Sequence, residues 1–200
     1  MIKKLFFESH APKWDNFTKE DTPERISNEL IPLFDIKENE SILDAGCGTG
    51  ILLPFLRQSA GEKARITALD YSVSMINEAR KKYGDGYEYI SGDAHNIKLP
   101  DESFDIVICF CAFPHFDDKK KVLGEFNRVL KPKGRLVIAH LASRKRINDY
   151  HKNIGHSVSN DTIPGNQLML KLLAESGFRE ASIIEKGNFY ASKSIKNQIE

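Results

Sequence analysis

Asp44-Ala45-Gly46-Cys47-Gly48-Thr49-Gly50 closes a short β-branched run that begins at Ser41, and the reading of this stretch decides the fold. Glycines here allow a sharp turn and let a ligand lie against bare backbone. A helix beginning near Thr49 aims unpaired N–H groups into the same space. Asp70 ends the next extended run, 20 residues past Gly50, where an acid can accept hydrogen bonds from both hydroxyls of a ribose. Strand, glycine turn, helix, strand and acid together describe a nucleoside site. The dinucleotide fingerprint G-x-G-x-x-G needs its third glycine at Ile51, whereas this chain has G-x-G-x-G with Asp44 upstream. A carboxylate beside the turn is unwelcome to a pyrophosphate and suits a cationic or amino-bearing ligand. A tight turn with no ligand is the competing account.

Working outward, extended runs alternate with helical patterns, which predicts a parallel sheet flanked by helices. The runs are SILDAG (41–46), ARITALD (64–70), YEYISGD (87–93), FDIVICF (104–110) and GRLVIAH (134–140). The fourth is apolar on both faces, as a central parallel strand should be. A helix capped by Ser72 or Ser74 carries Met75, Ile76, Ala79 and Tyr83 and stops at Gly84. Another, after Asp117-Asp118, buries Val122, Leu123, Phe126, Val129 and Leu130 and ends at Lys131-Pro132-Lys133-Gly134. Pro164 opens a further helix, closed by Gly177. The tail reads as two strands joined tightly at Lys186-Gly187-Asn188, which makes the final pair antiparallel.

The chain has 200 residues with 29 Lys and Arg against 28 Asp and Glu, an ordinary globular mix without the basic excess of a nucleic-acid binder. Its three cysteines, Cys47, Cys109 and Cys111, form neither a zinc pattern nor a disulfide framework, which favours a reducing compartment. The longest apolar run, residues 106–113, falls far short of the roughly 20 residues that cross a bilayer. A single domain in the cytoplasm is expected: an N-terminal helical cap (1–40), a core (41–140), a lid-like insertion (141–163) and a terminal helix with a strand pair (164–200).

LDAGCGTG, the acid in ALDYS, SGDA, FDIVICFCAFPHF and LKPKGRLVI resemble, in order and spacing, the class I S-adenosylmethionine-dependent methyltransferases, and most closely the small-molecule "methyltransferase type 11" group. The resemblance covers residues 41–140. It implies a Rossmann-like, seven-stranded, mostly parallel α/β sheet with the last strand antiparallel and helices on both faces. It also implies S-adenosylmethionine as cofactor, leaving S-adenosylhomocysteine. Carried onto this chain, Gly46, Cys47 and Gly48 line the methionine part within the loop that ends at Gly50, and Asp44 meets the amino group. Asp70 holds the ribose, Tyr71 and Met75 pack near the adenine, Asp93 with Ala94 faces its amino group, and Phe110 lies beneath the sulfonium. Asp93 as a plain turn residue, and Cys47 as a small residue at a crowded turn, are the competing accounts.

In open α/β sheets the ligand lies beyond the carboxyl ends of the strands, which places His115 and His140 beside the cofactor. Orientation supplies most of the acceleration in methyl transfer, and a base matters when the acceptor has a proton to lose. Either histidine is a candidate for that base or for orienting the acceptor. Asn148, His151 and His156, with Trp14 and Phe17, are candidates for a lid that excludes water over a small-molecule acceptor. His115, His140, His151 and His156 match no metal spacing, and no carboxylate is paired with them in sequence, so no metal is assigned. Two other functions fit the same cofactor site: a regulatory module without turnover, and methyl transfer to RNA, which salt-sensitive RNA binding exposes. Oligomeric state and acceptor atom are not written in these motifs.

Overall fold

The computed structural model describes residues 2–154 and 158–198. β1 (Ser41–Ala45), β2 (Arg65–Asp70), β3 (Glu88–Ser91), β4 (Phe104–Phe110) and β5 (Leu130–His140) run parallel. With β6 (Phe178–Lys186) and β7 (Phe189–Lys196) they form a seven-stranded sheet, ordered β3-β2-β1-β4-β5-β7-β6. β7 is antiparallel to both its neighbours, so the last strand is the reversed one, as the tight tail turn at Gly187 requires.

Helices cover both faces because the central strands are apolar on both. Ile106 and Ile108 of β4 pack with residues 26–34, which continue α2 (Thr22–Arg25) and include α3 (Ile31–Phe34), and with α4 (Leu53–Ala60) and α5 (Val73–Tyr83). Val107 and Cys109 face the other way, toward α6 (Lys119–Val129) and α8 (Asn166–Glu175). Ser72 is the cap of α5: its hydroxyl accepts the Met75 N–H at 3.1 Å. Among the described residues no helix is long and apolar enough to cross a membrane.

Three local expectations are corrected. The glycine loop does not enter a helix at Thr49; turns persist until α4 begins at Leu53, with Pro54 in its first turn. Leu130 is not the last residue of a helical stripe but the first of β5, whose register against β4 shifts between Phe104 and Ile106. Lys131–Gly134 is taken up in that irregularity, with Lys133 at φ +64, so the expected stop is a bulge inside a strand. Third, the helical cap expected over residues 1–40 divides into several short segments. α1 (Ile2–His10) and a 3₁₀ segment (Ala11–Phe17) lie across α5, burying Phe7 and Ala11 against Met75.

Candidate active site

β1 has β2 on one side and β4 on the other, so the strand order reverses there and opens a crevice at the carboxyl ends of the strands. Gly46, Gly48 and Gly50 sit at its edge with φ of +76, +53 and +83. A Cβ on Gly46 would lie 2.4 Å from the Ala112 Cβ, so only glycine lets this loop approach the segment after β4. A Cβ on Gly50 would meet Leu53, Ala79 and Tyr83 within 3.1 Å, so its bareness serves helix packing.

Asp70 is buried and fully engaged. Its Oδ2 accepts the Gly48 N–H and its Oδ1 the Ser72 N–H, each at 2.9 Å. Burial raises its carboxyl above the usual range, while these two N–H groups pull the other way. Asp44 contrasts with it: 1% exposed, with neither carboxylate oxygen bonded to any described residue. Burial, with the Asp70 charge added, pushes the Asp44 carboxyl up to about 8. Burial likewise keeps Cys47 a protonated thiol, which suits a packing residue rather than a nucleophile.

An orphaned buried acid is a costly arrangement that a ligand donor relieves. The ammonium of a methionine moiety is such a donor, and the adjoining glycines leave its carboxylate room against backbone N–H groups. The residues present therefore fit S-adenosylmethionine.

The N-terminal segment roofs this crevice. The Trp14 Nε1 lies 3.6 Å from where a Gly48 Cβ would be. Asp15 accepts the Thr49 hydroxyl at 2.6 Å and pairs with Lys82. Phe7 packs edge-on against Tyr71 and against His115, with centroids 5.9 and 5.1 Å apart. The Tyr71 hydroxyl is buried without a partner among the described residues, and Phe110 is half-buried at the end of β4.

Beside the crevice, His115 Nδ1 lies 2.7 Å from Asp161 Oδ2, and its ring is 4.9 Å from that of His151. Lys3 of α1 donates to Asp161 Oδ1 and to Asp117 at 2.7 Å, and to the His115 carbonyl at 3.0 Å. His140, at the end of β5, is 3% exposed, and its Nε2 bonds no described residue. Burial, with smaller contributions from His115 and His151, pushes it down to about 3, so it stays neutral.

The remaining expected residues have the following surroundings. Phe17 is 62% exposed, because the 3₁₀ turn carries it to the outer side of Trp14. Asn148 spends its amide on both backbone groups of Ile163, stapling α7 (Arg144–Ile154) to the irregular link ahead of α8. The His151 Nδ1 pairs with the Asp161 carbonyl at 2.8 Å. Asp93 makes the turn: its Oδ1 accepts the His95 N–H at 2.9 Å, and its side chain is 63% exposed, while Ala94 beside it is buried. Met75 is buried in the contact with α1. His156 lies outside the described residues. Among the described residues no group of three His, Cys, Asp or Glu could hold a metal ion. Lys3, Glu8, Asp15 and Asp161 were not anticipated. The apolar run Leu5-Phe6-Phe7, with Trp14, is the signal that the N-terminal segment packs on something.

Residues 43–138 match the family described as a methyltransferase domain. That match, the following relatives and this sheet order support a class I S-adenosylmethionine-dependent methyltransferase. It is 45% identical over 102 residues to a demethylmenaquinone methyltransferase of Thermotoga maritima, covering 51% of this chain and 44% of that one. It is 35% identical over 120 residues to a malonyl-[acyl-carrier protein] O-methyltransferase of Pectobacterium atrosepticum, covering 60% and 46%. The chain thus spans about half the length of these curated relatives. A SAM-dependent methyltransferase from Aquifex aeolicus shares the fold, with TM-score 0.75 at 24% identity over 94% of this chain and 97% of that one.

Proposed function

We propose that this protein transfers the methyl group of S-adenosylmethionine to a small-molecule acceptor. The observation that carries the reading is Asp44, a buried acid without a partner among the described residues, at the end of β1 beside the glycine turn. When bound, S-adenosylmethionine supplies a methyl group already activated by the positive charge on its sulfur. Asp44 holds the ammonium, while Gly46, Cys47 and Gly48 line the methionine part. Asp70 accepts from the ribose hydroxyls, exchanging backbone partners for them. Tyr71 flanks the adenine, supported from below by Met75; Ala94 lines its edge and Asp93 takes its amino group. Phe110 closes the floor under the sulfonium. Trp14 and the segment around it exclude water.

The acceptor would meet His115 and His140, which lie just past the carboxyl end of β4 and at that of β5. His140 stays neutral and gives or takes a hydrogen bond, whereas His115 is the group placed to take a proton. The curated relatives named for a quinone and for an acyl-carrier-protein ester support a small acceptor without naming this one. The free thiols of all three cysteines support a reducing, cytoplasmic setting.

The test is an assay of S-adenosylhomocysteine release across hydroxyl, amine, thiol and carbon acceptors. The reading predicts turnover with at least one small molecule. Tight cofactor binding with no product anywhere in the panel, or turnover confined to RNA, overturns it.

A further inference from the structure

Asp161 is 5% exposed and lies 46 residues from His115, in the link between α7 and α8. Both its oxygens are committed. Oδ2 faces His115 Nδ1 at 2.7 Å and Oδ1 takes the Lys3 ammonium at 2.7 Å. A carboxylate can only accept here, so the hydrogen between it and the imidazole belongs to Nδ1. His115 Nε2 makes no hydrogen bond to any described residue. The ring is held between Phe7 of α1 and His151 of α7.

Resting on the methyltransferase reading, we propose that Asp161 is a positioning residue: fixed by Lys3, it holds His115 in the Nδ1–H tautomer, so that Nε2 is the basic atom offered to a protic acceptor. The acceptor class is then a hydroxyl or an amine. Its O–H or N–H bond breaks, the electron pair stays on the heteroatom, and the proton forms a bond to Nε2, to be passed to water afterwards. Burial raises the Asp161 carboxyl, but the hydrogen bonds from His115 and Lys3 outweigh it and keep the acid ionised. Because Lys3 lies on α1, the arrangement is complete only with the N-terminal segment docked.

The same geometry makes the Asn variant informative. In Asp161→Asn the side-chain oxygen turns to the Lys3 ammonium, which can only donate, and the amide NH₂ faces His115. That donor forces the hydrogen onto Nε2. Long-range ¹H–¹⁵N spectra of ring-labelled protein at about pH 9, above the ordinary imidazole range, read the tautomer directly. The His115 signals are assigned by their loss in His115→Gln. The expected result is Nδ1–H in the wild type and Nε2–H in Asp161→Asn. Nε2–H in the wild type, or Nδ1–H in both proteins, overturns the proposal. If Asp161→Asn does not fold, the wild-type tautomer alone decides. Calorimetry with S-adenosylmethionine on the same wild-type sample separates the two claims: absence of binding removes the methyltransferase reading, while the tautomer stands or falls by itself.

Discussion

Glu8 Oε2 accepts the Ser74 N–H at 2.9 Å, and its other oxygen accepts the Val73 N–H at the same distance. One carboxylate on α1 thus satisfies two of the unpaired donors at the start of α5, at the positive end of that helix. Glu8→Ala is expected to cost about 1 kcal/mol, the usual size of a lost cap, and to loosen the N-terminal segment. A lower urea midpoint together with faster protease cleavage ahead of residue 20 supports this; unchanged cleavage means that the segment is held elsewhere.

Gly46 combines φ +76 with a Cβ position 2.4 Å from Ala112. Gly46→Ala therefore brings a left-handed penalty of roughly 1–2 kcal/mol and a clash that pushes the loop off the segment after β4. The expected outcome is a lower melting temperature and loss of cofactor binding. Gly124→Ala, on α6 with nothing within 4 Å of its Cβ position, serves as the tolerated control.

Asp44 needs to lose a proton before it can meet an ammonium. Its carboxyl sits at about 8 in the ligand-free protein, so below that pH cofactor binding releases a proton, and affinity rises as the pH climbs toward 8. Titrations in buffers of different ionisation enthalpy near neutral pH are expected to show close to one proton released. Asp44→Asn should abolish that release and weaken binding.

His140 carries the opposite linkage. Its folded value of about 3 lies below the ordinary 6.5, so the unfolded chain binds a proton that the native state refuses. Native stability is intact above the ordinary value and is lost as the pH falls through the window between the two, by up to about 1.4 kcal/mol per unit. Between neutral and mildly acidic pH, the urea midpoint of the wild type should fall further than that of His140→Gln. Parallel falls would mean that His140 titrates freely.

The central fold was legible because its signals are local. β4 was bounded correctly from its mostly apolar sequence FDIVICF, Ser72 was one of two expected caps, and the reversed last strand followed from a tight turn at Gly187. Lys131–Gly134 misled because a proline and a glycine mark a bulge as readily as a helix end, and only pairing with β4 tells them apart. The polar anchors of the roof were missed for a different reason. α1 gains its order from tertiary partners: Lys3 reaches Asp161, Glu8 reaches α5, and Phe7 reaches Tyr71. The His115–Asp161 pair spans 46 residues, a separation that no spacing rule covers.

Asp70 bears the central claim, since the ribose is what distinguishes a nucleoside site from a mere turn. Calorimetric titration of the wild type and Asp70→Ala with S-adenosylmethionine and S-adenosylhomocysteine tests it most directly. The account predicts that the wild type binds both, and that Asp70→Ala loses at least about 2 kcal/mol, roughly 30-fold in affinity, for the two charge-assisted hydrogen bonds removed. Failure of folded wild-type protein to bind either compound, or equal binding by the variant, would contradict it.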